Sequence, residues 1–101
     1  MNILSNIPND LPEELIEVLA KNDRVRIERI VSRGHVSADW YDQETDEFVL
    51  LFKGEARILF EEGAQVVHLI AGDHCTIPAH ARHKLIWTIP CQDTVWLAVH
   101  Y

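Results

Sequence analysis

Residues 34–54 read GHVSADWYDQETDEFVLLFKG. Alternate residues of an extended strand share a face, so Trp40 and Asp42 fall on one side of a strand-like segment over residues 35–42. A polar break, Gln43 to Asp46, follows, and Glu47 then opens a run, Phe48 to Lys53, that is apolar on both faces. The counterpart of this stretch is residues 72–87, GDHCTIPAHARHKLIW. There Pro78 sits in a turn that delivers His80 and then His83 to the start of another strand. The alternation lets Asp42, Glu47 and His83 point into one barrel interior. Two carboxylates with one or two imidazoles at strand ends are a donor set that first-row divalent metals accept.

The same punctuation recurs along the chain. Val25 and Ile27 alternate with Arg24, Arg26 and Glu28, and Ser32-Arg33-Gly34 makes a turn. Lys53-Gly54-Glu55 and Glu62-Gly63-Ala64 are further turns, and residues 65–70, 75–77, 83–89 and 94–101 complete a set of short strands. Short strands at regular spacing, separated by Gly, Pro and Asp-rich turns, predict an antiparallel sandwich or barrel. Upstream, Leu11-Pro12-Glu13-Glu14-Leu15 has the form of a helix start, with Pro at the first turn and acidic residues at the positive end. Leu11, Leu15, Val18 and Leu19 then recur at helical spacing. One short N-terminal helix is therefore expected over about residues 12–21, and a barrel over about 24–101. The final strand, residues 94–101, is apolar to its end; a long apolar edge invites pairing, which predicts a homodimer.

A chain of 101 residues is the size of one domain. Its net charge of −7 argues against nucleic acid, which needs a clustered basic surface. Arg24, Arg26 and Arg29 form the one basic cluster and are expected on a solvated face or an interface rim. No apolar run reaches the ~20 residues of a membrane span, and the N-terminal stretch lacks the basic and apolar regions of a secretory signal. A cytoplasmic location and no membrane partner are expected. Cys75 and Cys91 have no CxxC spacing, so reduced thiols are expected rather than a disulfide.

The spacing of the two central stretches resembles the two signature motifs of the cupin superfamily. Gly34, five residues, Trp40-Tyr41-Asp42, four residues, Glu47, six residues and Gly54 follow the first motif. Gly72, Pro78, His80, His83 and Trp87 fall on the places of the second. Trp40 and Asp42 replace two histidines of the family pattern, His80 replaces a glycine and Trp87 an asparagine. The resemblance, covering residues 34–87, implies a small all-β jelly-roll and, with Asp42, Glu47, His80 and His83 as ligands, a divalent transition metal such as Zn, Fe(II), Mn or Ni. Each residue also has a plainer role. Glu47 can be an exposed strand-end carboxylate, Asp42 a hairpin cap, His83 a satisfied core histidine, and His80 a group that orients another ligand or moves a proton. Trp40 and Trp87 either pack in the core or line a pocket beside the metal. His35, His68, His74 and His100 are read as surface or structural. Two functions remain in view: a metal-dependent enzyme acting on a small organic molecule, and a non-catalytic metal- or ligand-binding module. A barrel without metal, its polar residues bonding one another, is the third.

Overall fold

The period-two segments form eight strands in the computed structural model, which describes residues 1–101. They are β1 (Leu15–Lys21), β2 (Arg26–Ser32), β3 (Glu47–Lys53), β4 (Glu55–Phe60), β5 (Gln65–Ile70), β6 (His74–Ile77), β7 (His83–Thr88) and β8 (Thr94–His100). Every pairing is antiparallel. A five-stranded sheet in the order β1-β2-β8-β3-β6 faces a three-stranded sheet in the order β5-β4-β7. This is the expected all-β jelly-roll. Val49 and Leu51 of β3, Ile77 of β6, and Trp96 and Ala98 of β8 meet Ala56 and Ile58 of β4 and Leu69 of β5 in a single buried cluster. Burying such side chains stabilises the fold by about 1.5–3 kcal/mol each.

The expected N-terminal helix is absent: Leu15–Lys21 is an edge strand, paired with β2 from Leu15 opposite Val31 to Lys21 opposite Arg26. Leu11, Leu15, Val18 and Leu19 do sit at helical spacing, but Leu15-Ile16-Glu17-Val18 also alternates, and β-branched Ile16 and Val18 suit a strand. A ladder of long-range backbone bonds to β2 overrides a weak local propensity.

Residues 35–42 form no regular strand either. They run beside β7 through an isolated bridge, Tyr41 opposite His83, and a bond from the Ser37 amide to the Leu85 carbonyl. β8 is an interior strand, hydrogen-bonded to β2 on one side and β3 on the other. Its apolar run is therefore spent within the sheet, and the edge on which the expected homodimer rested does not exist.

Arg29 also departs from expectation. It is 1% exposed rather than solvated. In β2 the inward parity belongs to Glu28 and Ile30, while Ile27, Arg29 and Val31 face outward. Val31 and Val95, opposite each other on that outer face, are fully buried, so this side is covered. The covering is the segment before β1. Arg29 donates to the carbonyls of Ile3, Ser5 and Asn6 at 3.2, 2.5 and 3.3 Å, and its Nε donates to Glu17 at 2.7 Å. Arg33 adds a second clamp, to the carbonyls of Asn9 and Pro8 and to Asp93.

Candidate functional site

Sheet register brings four titratable side chains to one end of the barrel. Glu47, at the head of β3, stands directly opposite His100 of β8. His100 in turn stands opposite Arg26 of β2, one alternation from Glu28, and diagonal neighbours on one face are within reach of long side chains. His83, first residue of β7, faces them from the smaller sheet. Glu47 and His83 are each 6% exposed and His100 5%. The His83 Nε2 lies 3.9 Å from Glu47 Oε1, the His100 Nε2 3.9 Å from Glu47 Oε2, and the His100 Nε2 bonds Glu28 Oε1 at 2.9 Å. Glu28 also pairs with Arg26 at 3.2 Å.

These groups line a cavity of about 240 Å³ whose other walls include Ile30, Val49, Ile58, Ile77, Leu85 and Trp96, with Tyr41, Gln43 and Glu14 completing its polar rim. Burial pushes the Glu47 carboxyl above its ordinary value of 4.5, against the opposing pull of His100 and His83 and with the help of Glu28. A carboxyl out of water resists ionisation because the anion loses hydration that the site does not replace. Burial, and then the Glu47 carboxylate, push the Cys75 thiol upward as well, which disfavours the thiolate. Both cysteines are free, as expected.

The fold divides the four expected metal ligands into two pairs. Glu47 and His83 are inside. Asp42 and His80 are bonded to each other at 2.8 Å on the exposed surface, with side chains 44% and 67% exposed. His80 has a φ of 63° and the turn after Pro78 carries its ring outward. Trp40 and Trp87 do not line the cavity. Lys84 lies over the Trp40 ring at 4.5 Å and Arg57 over Trp87 at 4.8 Å, arrangements in which a cation meets the face of a ring. The sequence reading missed His100 and Glu28. The signal for His100 was its parity with Trp96 and Ala98. Glu28 was hidden because Ile27, the apolar neighbour, faces out.

The donor types inside the barrel suit a metal, but their spacing does not. Donors about 2.0–2.2 Å from one ion stand roughly 3.3 Å apart. Here both imidazole–carboxylate separations are 3.9 Å and the His100 Nε2 is already held by Glu28. No three His, Cys, Asp or Glu side chains converge closely enough to enclose an ion.

A protein of Ralstonia eutropha JMP134, provisionally named a mannose-6-phosphate isomerase, has a similar structure. It is 37% identical over 99% of this chain and 94% of its own, with a TM-score of 0.93. A cupin superfamily protein of Desulfitobacterium hafniense DCB-2 is 25% identical over 93% of this chain and 82% of its own, at a TM-score of 0.78. The chain belongs to the cupin superfamily. The fold alone is shared with an RmlC-like cupin of Methanocaldococcus jannaschii, a double-stranded β-helix 18% identical over 94% of this chain and 85% of its own, at a TM-score of 0.75. No protein-family model and no curated protein matches the chain. No helix of this cupin is long and apolar enough to cross a membrane.

The raised Glu47 carboxyl makes a prediction about this cupin's stability. A carboxyl whose folded value lies above its unfolded value holds its proton more tightly in the folded state. Its stabilising contribution is present below about 4.5 and is lost as pH rises through the folded value. Glu47→Gln carries no charge and escapes that loss. Urea melts between about pH 4 and pH 8 should show the variant gaining on the wild type as pH rises. A wild type that gains on Glu47→Gln over that range would contradict the burial argument.

Proposed function

We infer that this cupin binds a small organic molecule in the barrel cavity and exchanges a proton with it through Glu47 and His83. The carrying observation is the buried carboxyl–imidazole pair in the lining of an otherwise largely apolar cavity. Convergent titratable groups in an enclosed apolar pocket are the usual make-up of a small-molecule site. His83 Nδ1 lies 2.8 Å from the Ala81 carbonyl; a carbonyl only accepts, so Nδ1 carries the proton and Nε2 presents its lone pair. A carboxyl that burial makes slower to ionise is a readier proton donor than an exposed one, and the free His83 Nε2 is placed to accept a proton. The 3.9 Å between them is too long for a direct hydrogen bond and leaves room for one bridging oxygen or nitrogen of a ligand. Carbon-13 NMR of the Glu47 side-chain carboxyl is the test. A midpoint above 4.5 is expected, and a midpoint at or below it would remove the acid.

The metal reading has one observation in its favour. His83 is oriented as imidazole ligands usually are, its outer N–H held by a carbonyl and its other nitrogen free. Plasma mass spectrometry on wild type and His83→Ala, each incubated with Zn(II) or Mn(II) and desalted, decides between the two. About one equivalent in the wild type, lost in the variant, would establish a metal-binding cupin and leave open a metal-dependent activity. Equal, negligible occupancy in both leaves the metal-free pocket. A site that binds but catalyses nothing is the remaining alternative, and a normal Glu47 titration would favour it.

A further inference from the structure

We propose that this cupin catalyses keto–enol exchange of a small, uncharged ketone or aldehyde in the barrel cavity, with Glu47 as the acid at the carbonyl oxygen and His83 as the base at the adjacent carbon. The inference rests on the reading of Glu47 and His83 as a proton-transfer pair and adds the substrate class and the bond that changes.

Gln43 Oε1 and His100 Nδ1 are the only side-chain polar atoms with neither a partner nor open surface. The Glu47 oxygens and the His83 Nε2 also make no hydrogen bond, so these three atoms keep surface in the cavity that both residues line. The Tyr41 hydroxyl and the Gln43 amide nitrogen are likewise unbonded, at the rim. The other polar groups of the lining are spent: Glu14 accepts from Ser32, and Glu28 holds both His100 and Arg26. What remains open is three groups able to donate, the protonated Glu47 carboxyl, Tyr41 and Gln43, and one base, the His83 Nε2. No unpaired cation is among them. An uncharged acceptor such as a carbonyl oxygen suits this set, whereas a carboxylate or phosphate would be buried without a counter-charge. The rest of the wall is largely apolar, with Ile58, Leu85 and Trp96 among its side chains, and its volume of about 240 Å³ takes a small substrate.

A carbonyl oxygen and the carbon next to the carbonyl stand about 2.4 Å apart. With ~2.7 Å from the Glu47 oxygen to the carbonyl oxygen and ~3–3.5 Å from Nε2 to that carbon, the figure closes over the 3.9 Å between Glu47 Oε1 and His83 Nε2. His83 takes a proton from the carbon, and the C–H electron pair becomes the C=C bond. The C=O π pair takes the Glu47 proton, which gives the enol. Glu47 is left a carboxylate and His83 an imidazolium, and no oxidant, reductant or further reactant is needed. The two new charges are opposite and adjacent in a cavity of largely apolar walls, where their attraction offsets the cost of creating them. Once the imidazolium proton has swapped with water, reversal places a solvent hydrogen on the carbon.

The test follows the hydrogens beside the carbonyl of cyclohexanone by proton NMR in heavy water with the full chain present. Their signal should decay about a hundredfold faster with the wild type than with Glu47→Gln or His83→Asn, the lower end of what a positioned acid or base contributes. Cyclohexanol, similar in shape but without the carbonyl, should compete and slow the wild type, which tests the site without any substitution. Levulinate, an anionic ketone, should exchange no faster than it does in an equal concentration of imidazole and acetate. Exchange of cyclohexanone by the wild type at only that background rate would overturn the proposal. So would variants that keep the wild-type rate, a rate indifferent to cyclohexanol, or levulinate overtaking cyclohexanone. A Glu47 midpoint above 4.5 without exchange rejects the carbonyl substrate and keeps the proton-transfer pair, so the two failures are told apart.

Discussion

Gly54→Ala is expected to lower the stability of this cupin by about 4 kcal/mol or more, enough to leave it largely unfolded at 37 °C. Two effects add. Gly54 has a φ of 93°, in the left-handed region where an L side chain costs about 1–2 kcal/mol. A Cβ there would also lie 2.5 Å from the Thr94 Cα, backbone that cannot rotate out of the way. Thr94 is fully buried, and its hydroxyl accepts from the Glu55 amide at 3.3 Å, so relieving the overlap means parting the β3–β4 turn from the start of β8. At roughly 4–8 °C per kcal/mol for a domain of this size, Tm should fall by about 15–30 °C. Gly72→Ala is the control, with the same φ of 93° but no atom within 4 Å of the added Cβ. It should lose only the backbone-conformation share, about 1–2 kcal/mol. Thermal melts of both variants settle the matter: equal losses would show that contact with Thr94 contributes nothing.

Arg29→Met should cost about 3–5 kcal/mol, the range for removing one member of a buried charged network. Met replaces the length and apolar stem of the side chain but not its donors. The carbonyls of Ile3, Ser5 and Asn6 then lose their partner, as does the Glu17 carboxylate. Because those carbonyls belong to the segment before β1, the effect is local as well as global. Thermolysin should cut within residues 1–13 faster than in the wild type under folding conditions, before global unfolding exposes the rest. Arg29→Lys should recover less than half of the loss, since one ammonium cannot serve three carbonyls and a carboxylate from a single point. An Arg29→Met protein within 1 kcal/mol of wild type, its N-terminal segment still protected, would show that the covering of this sheet face depends on apolar contact alone.

Both predictions bear on how far the fold was legible in the chain. Gly54 stood out because a glycine between two apolar runs marks a turn, yet nothing nearby in sequence distinguishes it from Gly72. The difference is Thr94, forty residues on. Its charged neighbours place Arg29 on a solvated face or an interface rim, and the local pattern holds no trace of the segment that covers it. Leu15–Lys21 satisfied two periodicities at once, and the free edge of β2 chose the strand.

The candidate site divides in the same way. Glu47 and His83 were legible as inward-pointing because each heads a strand whose alternate residues are apolar, and alternation is a property of the chain itself. Asp42 and His80 had the spacing but sit in irregular backbone, where the period of two has no force and the side chains are free to turn to water. His100 and Glu28 became part of the site through register, which sets His100 against Glu47 across the β3–β8 ladder. The sequence by itself determined that this chain makes short antiparallel strands broken at glycines and acidic turns, with a carboxylate and an imidazole at two inward strand heads. Tertiary structure alone decided which strand lies beside which, and hence which polar groups share the cavity. The physical reason is that strand alternation is encoded residue by residue, whereas pairing partners are selected by the burial of both sheet faces together, a condition that no local stretch contains.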